Sequence, residues 1–83
     1  MGELITTFNA SPDGVMTNEV GVISGELELR STCDEDGTLE LAIRYVGAEE
    51  SYTVIGQDYR LHDVRDHALV HRLLTTVLAR PMG

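Results

Sequence analysis

The stretch Ile23-Ser24-Gly25-Glu26-Leu27-Glu28-Leu29-Arg30, continued through Ser31-Thr32-Cys33 and Asp34-Glu35-Asp36-Gly37 into Thr38-Leu39-Glu40-Leu41-Ala42-Ile43-Arg44-Tyr45, decides the fold. Ile23, Gly25, Leu27 and Leu29 alternate with Ser24, Glu26, Glu28 and Arg30, and Leu39, Leu41, Ile43 and Tyr45 alternate with Thr38, Glu40, Ala42 and Arg44. Period-two alternation puts the apolar set on one face of a strand and the charged set on the other. The acidic Asp34–Gly37 segment between the two runs is turn chemistry, so the pair predicts a hairpin buried on one side only.

Working outward, Leu4–Ala10 carries the β-branched and aromatic content of a strand and ends in Ser11-Pro12-Asp13-Gly14, where proline presets φ and glycine accepts a positive one. Val15–Val22 has no clean period. Its apolar positions change phase near Gly21 and Gly25, which predicts a bulge or an irregular strand entry. Downstream, a turn at Gly47-Ala48-Glu49-Glu50 leads to Tyr52 and Val54 on the inner face. Gly56-Gln57 then shifts the phase toward Tyr59 and Leu61, predicting a short or bulged last strand.

Asp63 fits a helix N-cap, and Asp66 adds favourable charge near that end. His67, Val70, Leu73, Leu74, Val77 and Leu78 recur at three- and four-residue steps, predicting one buried face, with Arg80 before Pro81 marking the stop. Strands followed by one helix predict a small α+β domain: an antiparallel β-meander of three to four strands with a single C-terminal α-helix packed on one face. The whole chain, 1–83, reads as one domain.

At 83 residues the core is small, and a second copy of the chain is the natural way to enlarge it, so a homodimer is expected. A single cysteine, Cys33, cannot form an internal disulfide. With no apolar run of signal or spanning length at the N-terminus, it predicts a reducing, cytoplasmic setting with no membrane contact. Fourteen acidic residues oppose six basic ones, all arginine, for a formal charge of -8. The absence of lysine points to a GC-rich coding sequence, of a bacterium or phage. Such a charge repels phosphate backbones and argues against direct nucleic-acid binding. Through Asp58 the chain carries twelve of the carboxylates and two arginines, whereas Tyr59–Gly83 carries four arginines and two carboxylates. An acidic sheet and a weakly basic helix are expected.

Few residues carry chemistry. His67 and His71 stand one helical turn apart and form a possible chelating pair, with His62, Asp63 or Asp66 as a third ligand. The metalloprotease glutamate and a second ligand pair are missing. The competing reading places these histidines at the edge of the helix's buried stripe. Asp34-Glu35-Asp36-Gly37 fails as a calcium loop because Ile43 falls where the bidentate glutamate belongs. Ser24 lacks the glycine of a nucleophile elbow, and no glycine-rich phosphate loop occurs, so neither an enzyme nor a cofactor is expected. Cys33 reads as a small strand-end residue.

The expected function is therefore a small, acidic, non-catalytic protein–protein interaction module. Glu26, Glu28, Glu40 and Arg44, on the outer face of the sheet, are its candidate partner-binding residues. Two alternatives stay open: a phage-type inhibitor whose acidic face imitates a nucleic-acid backbone, and metal or small-molecule binding at His62, His67 and His71.

Overall fold

The computed structural model of the protein describes residues 2–56 and 59–79. Its elements are β1 (Gly2–Asn9), β2 (Val15–Thr17), β3 (Gly21–Ile23), β4 (Glu26–Cys33), β5 (Leu39–Tyr45), β6 (Tyr52–Thr53), a 3-10 turn (Val64–Asp66) and α1 (His67–Leu78). The main sheet is antiparallel in the order β1-β4-β5-β6, and β2-β3 forms a separate hairpin. The α+β class with one C-terminal helix is as the periodicity predicts. No described helix is long and apolar enough to cross a membrane.

The deciding hairpin forms, with Leu29 opposite Ile43 and Ser31 opposite Leu41. Leu27, Leu29, Ser31 and Cys33 of β4 and Leu39, Leu41 and Ile43 of β5 are buried, while Glu26 and Glu40 are exposed. The turn closes as predicted: the Gly37 N–H donates to the Asp34 carbonyl at 3.0 Å, with Gly37 at φ +92°. The last strand is the expected short one.

The segment without a clean period resolves into the β2-β3 hairpin. It also corrects the strand expected from Ile23 to Arg30. Ile23 ends β3, and Gly25, at φ +110°, turns the chain before β4 begins at Glu26. The hairpin docks on β6 through a bridge between Thr17 and Val54, an Asn18 N–H donated to the Thr53 carbonyl, and the Glu19 carboxylate, which accepts from both the N–H and the hydroxyl of Thr53. It thereby covers one end of the inner sheet face, where Ala10, Val15, Ile23, Leu27 and Ile43 form the larger core cluster.

The other end is covered by α1. Cys33, Leu39 and Leu41 pack there against Val54, Leu61, Val70 and Leu74. Asp63 caps as expected, although the turn it caps is the 3-10 segment, by accepting from the Arg65 N–H; α1 itself starts at His67. The far end of the helix is pinned by the Ser11 N–H, which donates to the Leu78 carbonyl, and by a bridge between Ala10 and Ala79. Arg80 and Pro81, read as the helix stop, and Gln57, read as part of the phase shift, lie outside the described residues.

Candidate functional site

α1 is pinned at its C-terminal end, through Leu78 and Ala79. His67 and His71 face the sheet with only 7% and 5% of their surface exposed, so they sit in the interior and not at the edge of the buried stripe. They converge on Ser31, which is fully buried at an inward position of β4. Ser31 Oγ lies 2.8 Å from His67 Nε2 and 2.5 Å from His71 Nδ1, and His71 Nε2 lies 2.7 Å from Thr6 Oγ1 on β1. The imidazoles meet edge to face, with ring centroids 6.5 Å apart.

Counting protons shows what this chain of groups can do. Each hydroxyl has one hydrogen to donate, and each neutral imidazole has one N–H and one accepting nitrogen. The three hydrogen bonds are therefore satisfied running from His67 to Thr6 or, after a concerted shift of protons, from Thr6 to His67. One extra proton is also accommodated, because a charged His71 donates to both hydroxyls while Ser31 donates to His67. A second is not: two N–H groups then point at Ser31 Oγ, and the Ser31 hydrogen loses its acceptor. Two imidazolium charges at this separation repel by about 2.5 kcal/mol at an effective dielectric constant of about 20.

Burial first, and the neighbouring His67 charge second, hold the His71 imidazole below its ordinary value of 6.5. The unfolded chain then binds a proton that the folded chain resists. The stability contributed by neutral His71 is full above about pH 6.5 and declines as pH falls below it. The expected result is a urea midpoint that drops between pH 7 and pH 5. The carboxylates with lowered values, Glu19, Glu28, Asp36 and Asp63, come into play only at lower pH. A flat midpoint across that interval would contradict the burial of His71.

Ser31 between two imidazoles has the composition of an activated nucleophile, but full burial denies it a substrate. A cleft of about 420 Å³ lies elsewhere, lined by Asn18, Leu39, Glu40, Leu41, Thr53 and Tyr59 among others, and includes none of the four relay residues. The chelating pair is likewise taken up: the point shared by His67 Nε2 and His71 Nδ1 holds the Ser31 oxygen. His62 is exposed, and no group of three or more metal-ligating side chains converges among the described residues.

The opposite face of the sheet carries the residues expected to bind a partner. Glu28 and Arg44 are cross-strand neighbours and form an ion pair at 2.5 Å, and Arg44 also donates to the Ala48 carbonyl. The Arg44 hydrogen bond holds the Glu28 carboxyl below its usual range. Arg30 stands between the Glu28 and Glu40 rows, opposite Ala42. Glu26 and Glu40 remain exposed toward opposite ends of the face, so the carboxylates do not form a continuous row.

The rotation that buries the histidines turns out residues expected to be inside. Leu73 and Val77 are 54% and 73% exposed, and with Leu69 at 56% they form a row at four-residue spacing along the outer flank of α1. At about 100° per residue, the centre of the buried arc lies roughly 50° from the centre of the apolar stripe read from the sequence. The row is contiguous around the helix with Val70 and Leu74, which pack on the core, so the domain covers only part of its own apolar arc. The signal for the relay was present in the sequence: Ser31 is a polar residue at the inward phase of β4, and two histidines at i and i+4 lie on the helix that covers it. No protein-family model, curated protein or solved structure matches the chain.

Proposed function

We propose that the chain is a non-catalytic protein-interaction module that docks through the outer flank of α1, and that its partner is a second copy of itself. The observation that carries this reading is the exposed row Leu69, Leu73 and Val77 on a helix whose inward face holds two histidines. Apolar side chains set in line on one element, unlike those exposed singly, form the contiguous kind of surface that marks a contact site. Full burial of a leucine or valine is worth about 1.5–3 kcal/mol, so covering this half-exposed row contributes about 3 kcal/mol per copy. That suits a small, reversible interface.

A two-fold axis through Leu73 sets it against its own copy and Leu69 against Val77 of that copy, an isologous pairing that closes on itself. Arg72 and Asp66 flank the row, Arg65 is paired with Asp63, and twelve of the fourteen carboxylates lie before Tyr59, so the helix flank is where two chains of charge -8 approach with least repulsion. We place the module in the cytoplasm, where the lone buried thiol of Cys33 stays reduced.

Sedimentation velocity tests the reading. Wild-type protein is expected to associate as its concentration rises, and more strongly at 0.5 M than at 0.05 M salt, because screening removes like-charge repulsion. Leu73→Asp is expected to be monomeric throughout with an intact fold, since Leu73 supports little of the core. Association that weakens in salt would instead indicate docking by opposite charges, and a Leu73→Asp variant that associates like wild type would rule out the helix flank.

A further inference from the structure

A second apolar surface lies on the β2-β3 hairpin. Met16 and Val22 are cross-strand partners there. The Ile55 N–H donates to the Met16 carbonyl, and the bridge between Thr17 and Val54 sets the same antiparallel register. Val22, Met16 and Ile55 therefore stand in one row across three neighbouring strands spaced about 4.8 Å apart. They point away from the buried side chains of Val15, Thr17 and Ile23 and are 54%, 43% and 51% exposed. Side by side, they make a contiguous patch of the kind that marks a contact site.

We propose that this row docks an extended, basic segment of another protein, one that alternates apolar residues with lysine or arginine and adds to β3 as a further strand.

The backbone supplies the seat. The Met16 carbonyl and the Asn18 N–H both reach toward the segment Thr53–Ile55. Groups along a strand alternate in direction, so Val15 and Thr17 are the residues of β2 that bond β3, and Ile23 and Gly21 answer them. Val22 then directs its own N–H and carbonyl out of the far edge of β3. Among the described residues no strand pairs with that edge. A segment laid along it gains backbone hydrogen bonds at Val22 and sets an apolar side chain beside the Val22 side chain, extending the row by one strand.

The charge beside the row selects the partner. Glu19, in the hairpin turn, holds the N–H and hydroxyl of Thr53, two residues before Ile55. Glu40 shares the neighbouring cleft with Asn18 and Thr53, and its described lining includes no cation. Arg44, Arg60 and Arg65 are paired with Glu28, Asp36 and Asp63 elsewhere. An apolar row with an acidic border attracts a cationic segment and repels an acidic one.

The hairpin surface is on a different element from the helix flank, so it stands independently of the proposed self-association. The test is methyl and amide NMR of the wild-type protein titrated with three capped synthetic peptides, each to ~1 mM. The first alternates lysine and valine, the second has glutamate for lysine, and the third has serine for valine. The lysine–valine peptide is expected to shift the Met16, Val22 and Ile55 methyls and the Val22 amide, and to bind at least tenfold more tightly than either of the others. Val22→Thr combined with Ile55→Thr keeps β-branched residues at both positions, and is expected to weaken that binding at least tenfold with the melting temperature held. Equal binding of the three peptides, shifts confined to Leu69, Leu73 and Val77, no shift of the row, or undiminished binding by the folded double variant would overturn the proposal. So would movement of the row's methyls with the concentration of the protein alone, which would assign the surface to a second copy.

Discussion

Leu41→Asp is expected to leave the chain unfolded at room temperature, whereas Glu40→Ala, one residue away, is expected to shift the urea midpoint by less than the equivalent of about 0.5 kcal/mol. Leu41 is buried among Cys33 and Leu39 of the sheet, under Val54, Leu61, Val70 and Leu74. A carboxylate there has no cation to meet, since Arg30 and Arg44 serve the other face. Burying an unpaired charge costs more than about 4 kcal/mol, comparable to the whole stability of a domain this size. Glu40 points outward from the same strand and sits in no core cluster. Far-UV circular dichroism on the two variants decides the matter, and a folded Leu41→Asp beside an unfolded Glu40→Ala would invert the sheet.

The second large effect is at Ser31. Ser31→Ala removes one oxygen and strands two imidazole nitrogens in the interior, His67 Nε2 and His71 Nδ1. Each buried polar atom left without a partner costs about 1–3 kcal/mol, so a loss of about 3 kcal/mol is expected from a change that deletes a single atom. Thr32→Ala, next along β4 on the outer face, is the control, with an expected change below about 0.5 kcal/mol. Equal, small effects at the two positions in denaturant unfolding would mean that the relay does not hold α1 to the sheet.

The central hairpin was legible because its alternation is unbroken and a one-residue slip would turn Leu27, Leu29, Leu41 and Ile43 to solvent. The β2-β3 hairpin was not, because its strands are three residues each, too short to show a period. Its turns rest on backbone freedom at Gly14 and Gly21, both at positive φ. At Gly14 a Cβ would fall 2.7 Å from the Ile23 carbonyl oxygen, so the local fold needs the missing side chain there.

The helix was legible as a helix but not in its rotation. Spacing reports which arc is apolar; it does not report how much of that arc the domain itself covers. Here hydrogen bonds from His67 and His71 to Ser31, and from His71 to Thr6, together with the tether at Leu78, turn the helix away from the centre of its stripe. The polar partners on β1 and β4 lie 36 to 65 residues away in sequence, beyond the reach of any local pattern. Of the residues the sequence singles out, His67 and His71 are brought together in the interior and His62 is left outside. Glu28 and Arg44 are occupied with each other, and Glu26 and Glu40 stand apart.

The most direct test of the docking face is methyl NMR of the wild-type protein at pH 7.5, recorded from about 0.05 to 1 mM with a soluble paramagnetic agent present, a range matched to a small reversible interface. The Leu69, Leu73 and Val77 methyls are expected to shift together with concentration and to become shielded from the agent, while the backbone amides of Glu26, Glu28 and Glu40 stay unchanged. Concentration-dependent changes confined to the sheet face, with those three methyls equally accessible at every concentration, would contradict the account.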